Sequence, residues 1–405
     1  MPVEFKQKTL SNGLTIIAEG DGDAHSSAAG FFIKTGARDE SPELMGVSHY
    51  LEHMMFKGSD SISAEEINQR FDALGARNNA YTTHEVTCYY AQVLPEKLAP
   101  TIDLLGTMLR PALRTDDFDT EKSVIIEEIA MYKDNPFWVL YEECCDRHYV
   151  KHPLGHRVLG TEDTVGRLSA EQMRAYFDNR YSADNTTLAL AGRVDFDAVC
   201  DQVEQLCGGW QRTGASRDSA KPNLGSPDFV VRDERINRAY LLMLADAPAI
   251  DDDRRYAAQL LAQILGEPGN SRLHWALIET GIAEEAQAAF DPHDGVGQYF
   301  VYASGDPERA DEIWAAAEKE IKSLPDAVTE DELERLRAKL ATAVMLGGER
   351  PSDRMQRLGR LWTYLGRYTT LDEELERINA VTVDDVKEVY GAFAFEPRTF
   401  GKLLP

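Results

Sequence analysis

Gly46-Val47-Ser48-His49-Tyr50-Leu51-Glu52-His53-Met54-Met55-Phe56 reads as one short helix. His49 and His53 are four residues apart, so both imidazoles stand on one face, one turn from each other. Glu52 lies beside them, one residue before the second histidine. Two histidines at this spacing can hold one zinc ion, and a neighbouring carboxylate can take a proton from a water at that ion. The stretch therefore predicts one Zn2+ per chain, held by His49 and His53, with Glu52 as the general base.

Catalytic zinc usually takes three protein ligands and leaves one position for water. The third is sought in a long helix predicted over residues 115–133, which carries Glu121, Glu127 and Glu128. Glu121 and Glu128 are two turns apart and share a face. Val124, Ile125, Met131 and Tyr132 are the helical neighbours of Glu128. A carboxylate on such an apolar face is costly unless it is paired or metal-bound. Glu127 faces Ser123 and is expected to be more exposed. Glu128 is the favoured ligand and Glu121 its supporting acid, although spacing alone leaves the choice open.

Around these helices the first half alternates strand and helix signals. Ser11-Asn12-Gly13 marks a hairpin between strands at 4–10 and 14–18. Residues 28–35 form a third strand. Ser63-Ala64-Glu65-Glu66 is a capping box that opens the next helix. A strand carrying Asn79 and Ala80 then pairs with residues 86–93. Residues 211–228, rich in Gly, Ser and Pro, read as a linker. Beyond them the order returns as strand, loop, two helices, hairpin and long helices. The expected fold is thus a duplicated α+β chain: residues 1–210 as the zinc-bearing domain and 229–405 as the second. Each has a mostly antiparallel sheet with helices on one face. The helix equivalent to the zinc stretch carries Gln259-Leu260-Leu261-Ala262-Gln263, with no metal ligands.

The chain has 405 residues, 43% apolar and 28% charged, with net charge −26. Such a charge argues against nucleic acid and anionic membrane as partners, since phosphate contacts need a surplus of Lys and Arg. No apolar stretch approaches the ~20 residues that span a bilayer. Met1 to Lys6 lacks a basic start and apolar run, and the five cysteines form no C-x-x-C pair. A cytoplasmic location is expected, or a periplasmic one if a signal has been removed. His152 and His156 are also four apart, but Pro153 and Gly155 intervene, and structural histidines in a turn are expected there.

The chain resembles the M16 (pitrilysin-type) metallopeptidases, the inverzincins with H-x-x-E-H order. It is most similar to the small subfamily of mitochondrial processing peptidase subunits and bacterial processing proteases. The resemblance spans the whole chain. It rests on His49-Tyr50-Leu51-Glu52-His53 with Met54 to Ser59, on Glu121 to Glu128, and on Leu74-Gly75-Ala76 to Thr82. It also rests on His152-Pro153-Leu154-Gly155 with Val158-Leu159-Gly160, and on Tyr181 to Gly192. It implies a LuxS/MPP-like metallohydrolase fold and zinc on His49, His53 and Glu128. It also implies Glu52 as base, Glu121 orienting the site, and a peptide substrate added as a strand along Asn79 and Ala80. Phe56 would line the pocket beside the scissile bond.

One departure has consequences. The non-zinc half of such enzymes commonly supplies an arginine and a tyrosine in a segment of the form L-R-E-x-x-G-L-A-Y. Here that segment is Ala276-Leu277-Ile278-Glu279-Thr280-Gly281-Ile282-Ala283-Glu284, with Leu277 near the arginine position and Glu284 at the tyrosine position. A heterodimer with a homologous subunit supplying the pair is therefore expected, with a homodimer as the alternative. Two other readings use the same motif: a metal-binding but inactive assembly subunit, and an H-x-x-E-H lyase acting on S-ribosylhomocysteine. The duplicated halves and Glu128 argue against the lyase.

Overall fold

The computed structural model describes residues 3–405. The strands are β1 (Glu4–Thr9), β2 (Thr15–Gly20), β3 (Ser27–Ile33), β4 (Arg77–Thr82), β5 (Thr87–Val93), β6 (Thr186–Gly192), β7 (Phe229–Arg232), β8 (Ala239–Ala247), β9 (Glu285–Pro292), β10 (Gly297–Gly305) and β11 (Arg398–Leu404). The helices are α1 (Val47–Met55), α2 (Ala64–Leu74), α3 (Leu98–Met108), α4 (Thr115–Lys133), α5 (Pro136–His148), α6 (Glu162–Arg167) and α7 (Ala170–Arg180). They continue with α8 (Phe196–Cys207), α9 (Arg255–Gly266), α10 (Ala310–Ala327), α11 (Glu330–Glu349), α12 (Pro351–Leu365), α13 (Leu371–Ala380) and α14 (Val383–Phe393).

Two sheets carry these elements. The first runs β1-β2-β6-β3-β5-β4 and the second β7-β11-β8-β10-β9. In each sheet one pair is parallel, β2 with β6 and β7 with β11, and every other pair is antiparallel. With β1 set aside, the orders and directions match strand for strand, so the α+β duplication is present in the topology itself. The strands β7 and β11 were not foreseen. Gly401 and Lys402 interrupt the apolar pattern of β11, yet Phe400 and Leu403 are buried and the strand lies inside the sheet.

The chain divides into two compact units whose segments interleave. One holds the chain up to Ile129 with His156–Asp218 and Leu346–Tyr368; the other holds Ala130–Gly155, Ser219–Met345 and Thr369–Pro405. The domain ranges expected from sequence are contiguous, and packing does not follow them. Helix α5 packs on β8 and β11 of the second sheet, and α12 on β3 and β6 of the first. Each sheet is therefore covered on both faces, with one added helix opposite the main helical layer.

This explains the apolar run Gly30-Phe31-Phe32-Ile33. Phe31 and Ile33 point to the α1–α3 side, where they join Tyr50, Leu51 and Ile102. Phe32 points the other way, onto Met355 and Leu358 of α12. All of β3 is buried, so alternation disappears, as in strands covered on both faces. Each such Phe or Ile contributes about 1.5–3 kcal/mol on burial.

Helix α1 starts where only glycine fits. Gly46 has φ +95°, and a Cβ there would stand 2.6 Å from the Leu159 carbonyl oxygen. Its neighbour Gly160, at φ +76°, would meet the Met45 carbonyl oxygen at 2.4 Å. The loop before α6 thus lies directly against the entry to the helix that carries His49, Glu52 and His53.

Candidate metal centre

Helix α1 is capped by a side chain from the loop that precedes it. The buried Glu40 carboxylate accepts hydrogen bonds from the backbone N–H groups of Gly46 and Ser48, both at 2.7 Å. These are donors at a helix start that lack intrahelical partners. Ser48 Oγ also lies 2.7 Å from the Tyr176 hydroxyl on α7, which in turn is 2.8 Å from Thr35 Oγ1. Behind this loop, Asp39 pairs with Arg180 and Arg217, each at 2.7 Å, and Arg38 with Glu85 at 2.6 Å. Arg217 belongs to the segment read as a linker, whose residues up to Asp218 belong to the first unit and whose remainder belongs to the second.

On the helix so held, His49, His53 and Glu128 bring one donor atom each within 4.8 Å of one another. His49 Nε2 lies 3.8 Å from Glu128 Oε1, and His53 Nε2 lies 3.6 Å from Glu128 Oε2. Both gaps exceed a hydrogen bond. They are close to the ~3.4 Å that separates two ligands bound to one tetrahedral ion at about 2.1 Å. Two imidazole nitrogens and one carboxylate are also one of the donor sets that hold zinc in catalytic sites. The residues present fit the metal.

The outer contacts favour the same use. Glu121 Oε1 lies 2.8 Å from His53 Nδ1, and Lys57 pairs with Glu121 Oε2. Burial pushes the Glu121 carboxyl up, but the hydrogen bonds from Lys57 and His53 outweigh it, and its pKa lies below the ordinary value. An ionised Glu121 accepts, so Nδ1 of His53 carries a hydrogen and Nε2 is the ring nitrogen left facing Glu128. For His49, burial and the nearby His53 push the pKa down to about 3. His49 is therefore a neutral imidazole, the form that ligates a metal.

Glu52 stands on the same helix and accepts a hydrogen bond from Thr82 Oγ1 at 2.6 Å. Burial raises its pKa above the usual carboxylate value, against the lowering effect of Thr82 and His53, while Glu128 adds to the rise. A carboxylate shifted toward neutrality is a better proton acceptor at working pH than an ordinary one.

Of the remaining sequence expectations, Phe56 is the C-cap residue of α1 and packs against the first unit's core. Asn79 and Ala80 lie on β4, the edge of the first sheet, with Asn79 exposed. Glu127 is exposed. His156 Nδ1 lies 3.1 Å from the Ala37 carbonyl oxygen, a structural contact in the turn. Sequence reasoning gave no role to Glu40, Lys57 or Thr82. Lys57 and Thr82 stand inside the motif runs, and Glu40 falls outside any helical period with α1, so spacing carries no signal for it. In the second unit, Leu277 is buried in a π-helical turn and Glu284 pairs with Arg238.

Residues 15–162 match the family profile described as insulinase (peptidase family M16), and residues 167–340 match the Peptidase M16 inactive domain. An uncharacterized zinc protease of Bacillus subtilis, YmxG, is 31% identical over 385 residues, covering 94% of both chains. This chain belongs to peptidase family M16. A second M16 relative, an uncharacterized zinc protease of Streptomyces coelicolor, is 32% identical over 95% of this chain and 86% of its own. The fold of this M16 chain is similar to that of a protease from Helicobacter pylori, with TM-score 0.93 at 20% identity over all of both chains. It is similar also to a peptidase M16 inactive domain structure from Pseudomonas fluorescens, with TM-score 0.92 at 18% identity over 100% of this chain and 98% of that one. Among the described residues, no helix is long and apolar enough to cross a membrane.

Proposed function

We propose that this M16 chain is a zinc-dependent endopeptidase subunit acting on short or unfolded peptides. The observation that carries the reading is the convergence of His49, His53 and Glu128 with Glu52 one residue from a ligand. Bound by those three residues, zinc would supply Lewis acidity, lowering the pKa of a water and polarising a carbonyl. Glu52 takes the proton from the attacking water as its oxygen bonds to the scissile carbonyl carbon. When the C–N bond breaks, Glu52 returns that proton to the leaving amine. Glu121 holds the His53 ring, and Lys57 holds Glu121.

The substrate peptide adds to the free edge of β4 along Asn79 and Ala80, with Phe56 beside the scissile bond. Thr82, at the end of this strand, connects the strand to Glu52. The partner is a homologous subunit that supplies the arginine and tyrosine, since Leu277 and Glu284 stand at those positions here.

The test is cleavage of a quenched fluorescent peptide with and without chelator, by the chain alone and with a homologous M16 subunit added. Chelator-sensitive cleavage that requires the second subunit is expected. Glu52→Gln should keep its zinc and lose cleavage; turnover in that variant would remove Glu52 from the role of base. Full activity of a homodimer would overturn the heterodimer. Bound zinc with no cleavage in any combination would favour an inactive assembly subunit.

A further inference from the structure

Alternate residues of β4 serve opposite faces of the first sheet. Thr82 reaches Glu52 on the α1 side, and Ala80 packs against the same core. Tyr81 donates to Gln356 Oε1 of α12 at 2.8 Å, so Tyr81, Asn79 and Arg77 belong to the α12 side. On that side an open pocket of about 710 Å³ borders the strand, lined by Arg77, Asn79, Tyr90, Gln92, Arg350 and Asp353 among others. Arg77, Arg350 and Asp353 are exposed, and among the described residues none of their side chains has an ion-pair partner. The rim thus carries two unpaired guanidinium groups against one carboxylate, in a chain whose net charge is −26. Most other arginines near this sheet are spent on internal partners: Arg354 and Arg357 pair with the buried Glu19, and Arg180 and Arg217 with Asp39.

We propose that this pocket is a specificity subsite that selects substrate peptides bearing an acidic side chain. This rests on the reading of β4 as the substrate edge. A peptide strand added to β4 turns every second side chain toward α1 and the metal ligands, and the intervening ones toward Arg77 and Arg350. Asp or Glu at an intervening position meets two guanidinium groups, whereas Lys or Arg there meets them as like charges. Asn79 and Gln92 supply neutral hydrogen-bonding groups for the same carboxylate. The selectivity is local and opposite to what the overall charge suggests, because exposed charges farther than about 10 Å away are screened.

The experiment uses the zinc-loaded chain, together with its partner subunit, and a neutral quenched peptide in which a single Glu or Lys is moved one position at a time. A Glu-over-Lys preference in kcat/KM of about two- to fivefold is expected at alternate positions only, the size of exposed charge pairs. Arg77→Glu and Arg350→Glu should each invert or abolish that preference. A preference without alternation, no preference, or one that both reversals leave intact would overturn the subsite. Cleavage of the neutral peptide and its loss in Glu52→Gln report separately on the peptidase reading. If the neutral peptide is not cleaved, anisotropy of labelled Glu and Lys peptides on the same protein gives the affinity ratio, and an equal ratio in wild type and reversals overturns the subsite.

Discussion

Thr82 Oγ1 donates to Glu52 Oε2 at 2.6 Å, a bond between the edge strand β4 and the helix that carries His49 and His53. The bond stabilises the ionised form of a carboxylate that burial otherwise pushes toward neutrality. Thr82→Val removes the donor with little change of shape. The Glu52 pKa then rises further, so the acid limb of the pH–rate profile moves to higher pH. A hydrogen bond to a charged group of about 1.5–3 kcal/mol corresponds to a shift of about one to two pH units. Thr82→Ser should restore the original limb, and profiles of kcat/KM for the three proteins check it. An unmoved limb in Thr82→Val would detach Thr82 from the base.

Glu121 is set apart from Glu128 by its contacts, not by its sequence spacing. It is buried, bonded to His53 Nδ1 and paired with Lys57. Glu121→Gln keeps the shape but removes the charge that fixes the His53 tautomer. Zinc affinity should fall about 10–100-fold, as for other outer-shell carboxylates. Chelator competition measures this directly, and unchanged affinity would reduce Glu121 to a packing role.

Much of this centre was readable from the chain. The four-residue spacing of His49 and His53 and the seven-residue spacing of Glu121 and Glu128 are local helix geometry, which sequence shows. The apolar argument for Glu128 held only in part: Ile125 is buried, but Val124 is 44% and Met131 72% exposed. The face around Glu128 is half solvent, and what singles out this acid is that it meets α1, a long-range fact. Thr82 was missed for the same reason, since it reaches α1 from the edge strand, whereas Glu40 lies only six residues before Gly46 but in a loop that no period marks. The exchange of α5 and α12 was equally hidden. Both helices are amphipathic in the ordinary way, and periodicity says that a face is buried without saying which sheet buries it.

Gly46 illustrates how tightly the helix entry is fixed. At φ +95° an L-residue is strained, and the added methyl would also meet the Leu159 carbonyl oxygen, which is backbone and cannot swing aside. Gly46→Ala should cost about 2 kcal/mol or more in unfolding free energy. Because the same residue gives its N–H to Glu40, zinc retention after dialysis should fall as well. Urea unfolding and metal analysis check the two effects. A variant with wild-type stability would show that the loop before α6 can yield.

Glu40 offers a test in which pH is the variable. Burial pushes its carboxyl up to about 7, even though the N–H groups of Ser48 and Gly46 favour the charged form. An unfolded glutamate titrates near ~4.3, so the folded protein holds this proton more tightly than the unfolded chain does. The stability that this contributes is full below the unfolded pKa and is lost as pH rises through the folded one. Between pH 5 and pH 8 the loss from this group comes to about 2–3 kcal/mol. Glu40→Gln cannot titrate and keeps one acceptor oxygen for α1. Its unfolding free energy, measured in urea at the two pH values, should fall by that much less than the wild type's. Equal falls in the two proteins would mean that Glu40 is ionised throughout, held by the two N–H donors and the positive end of the α1 dipole.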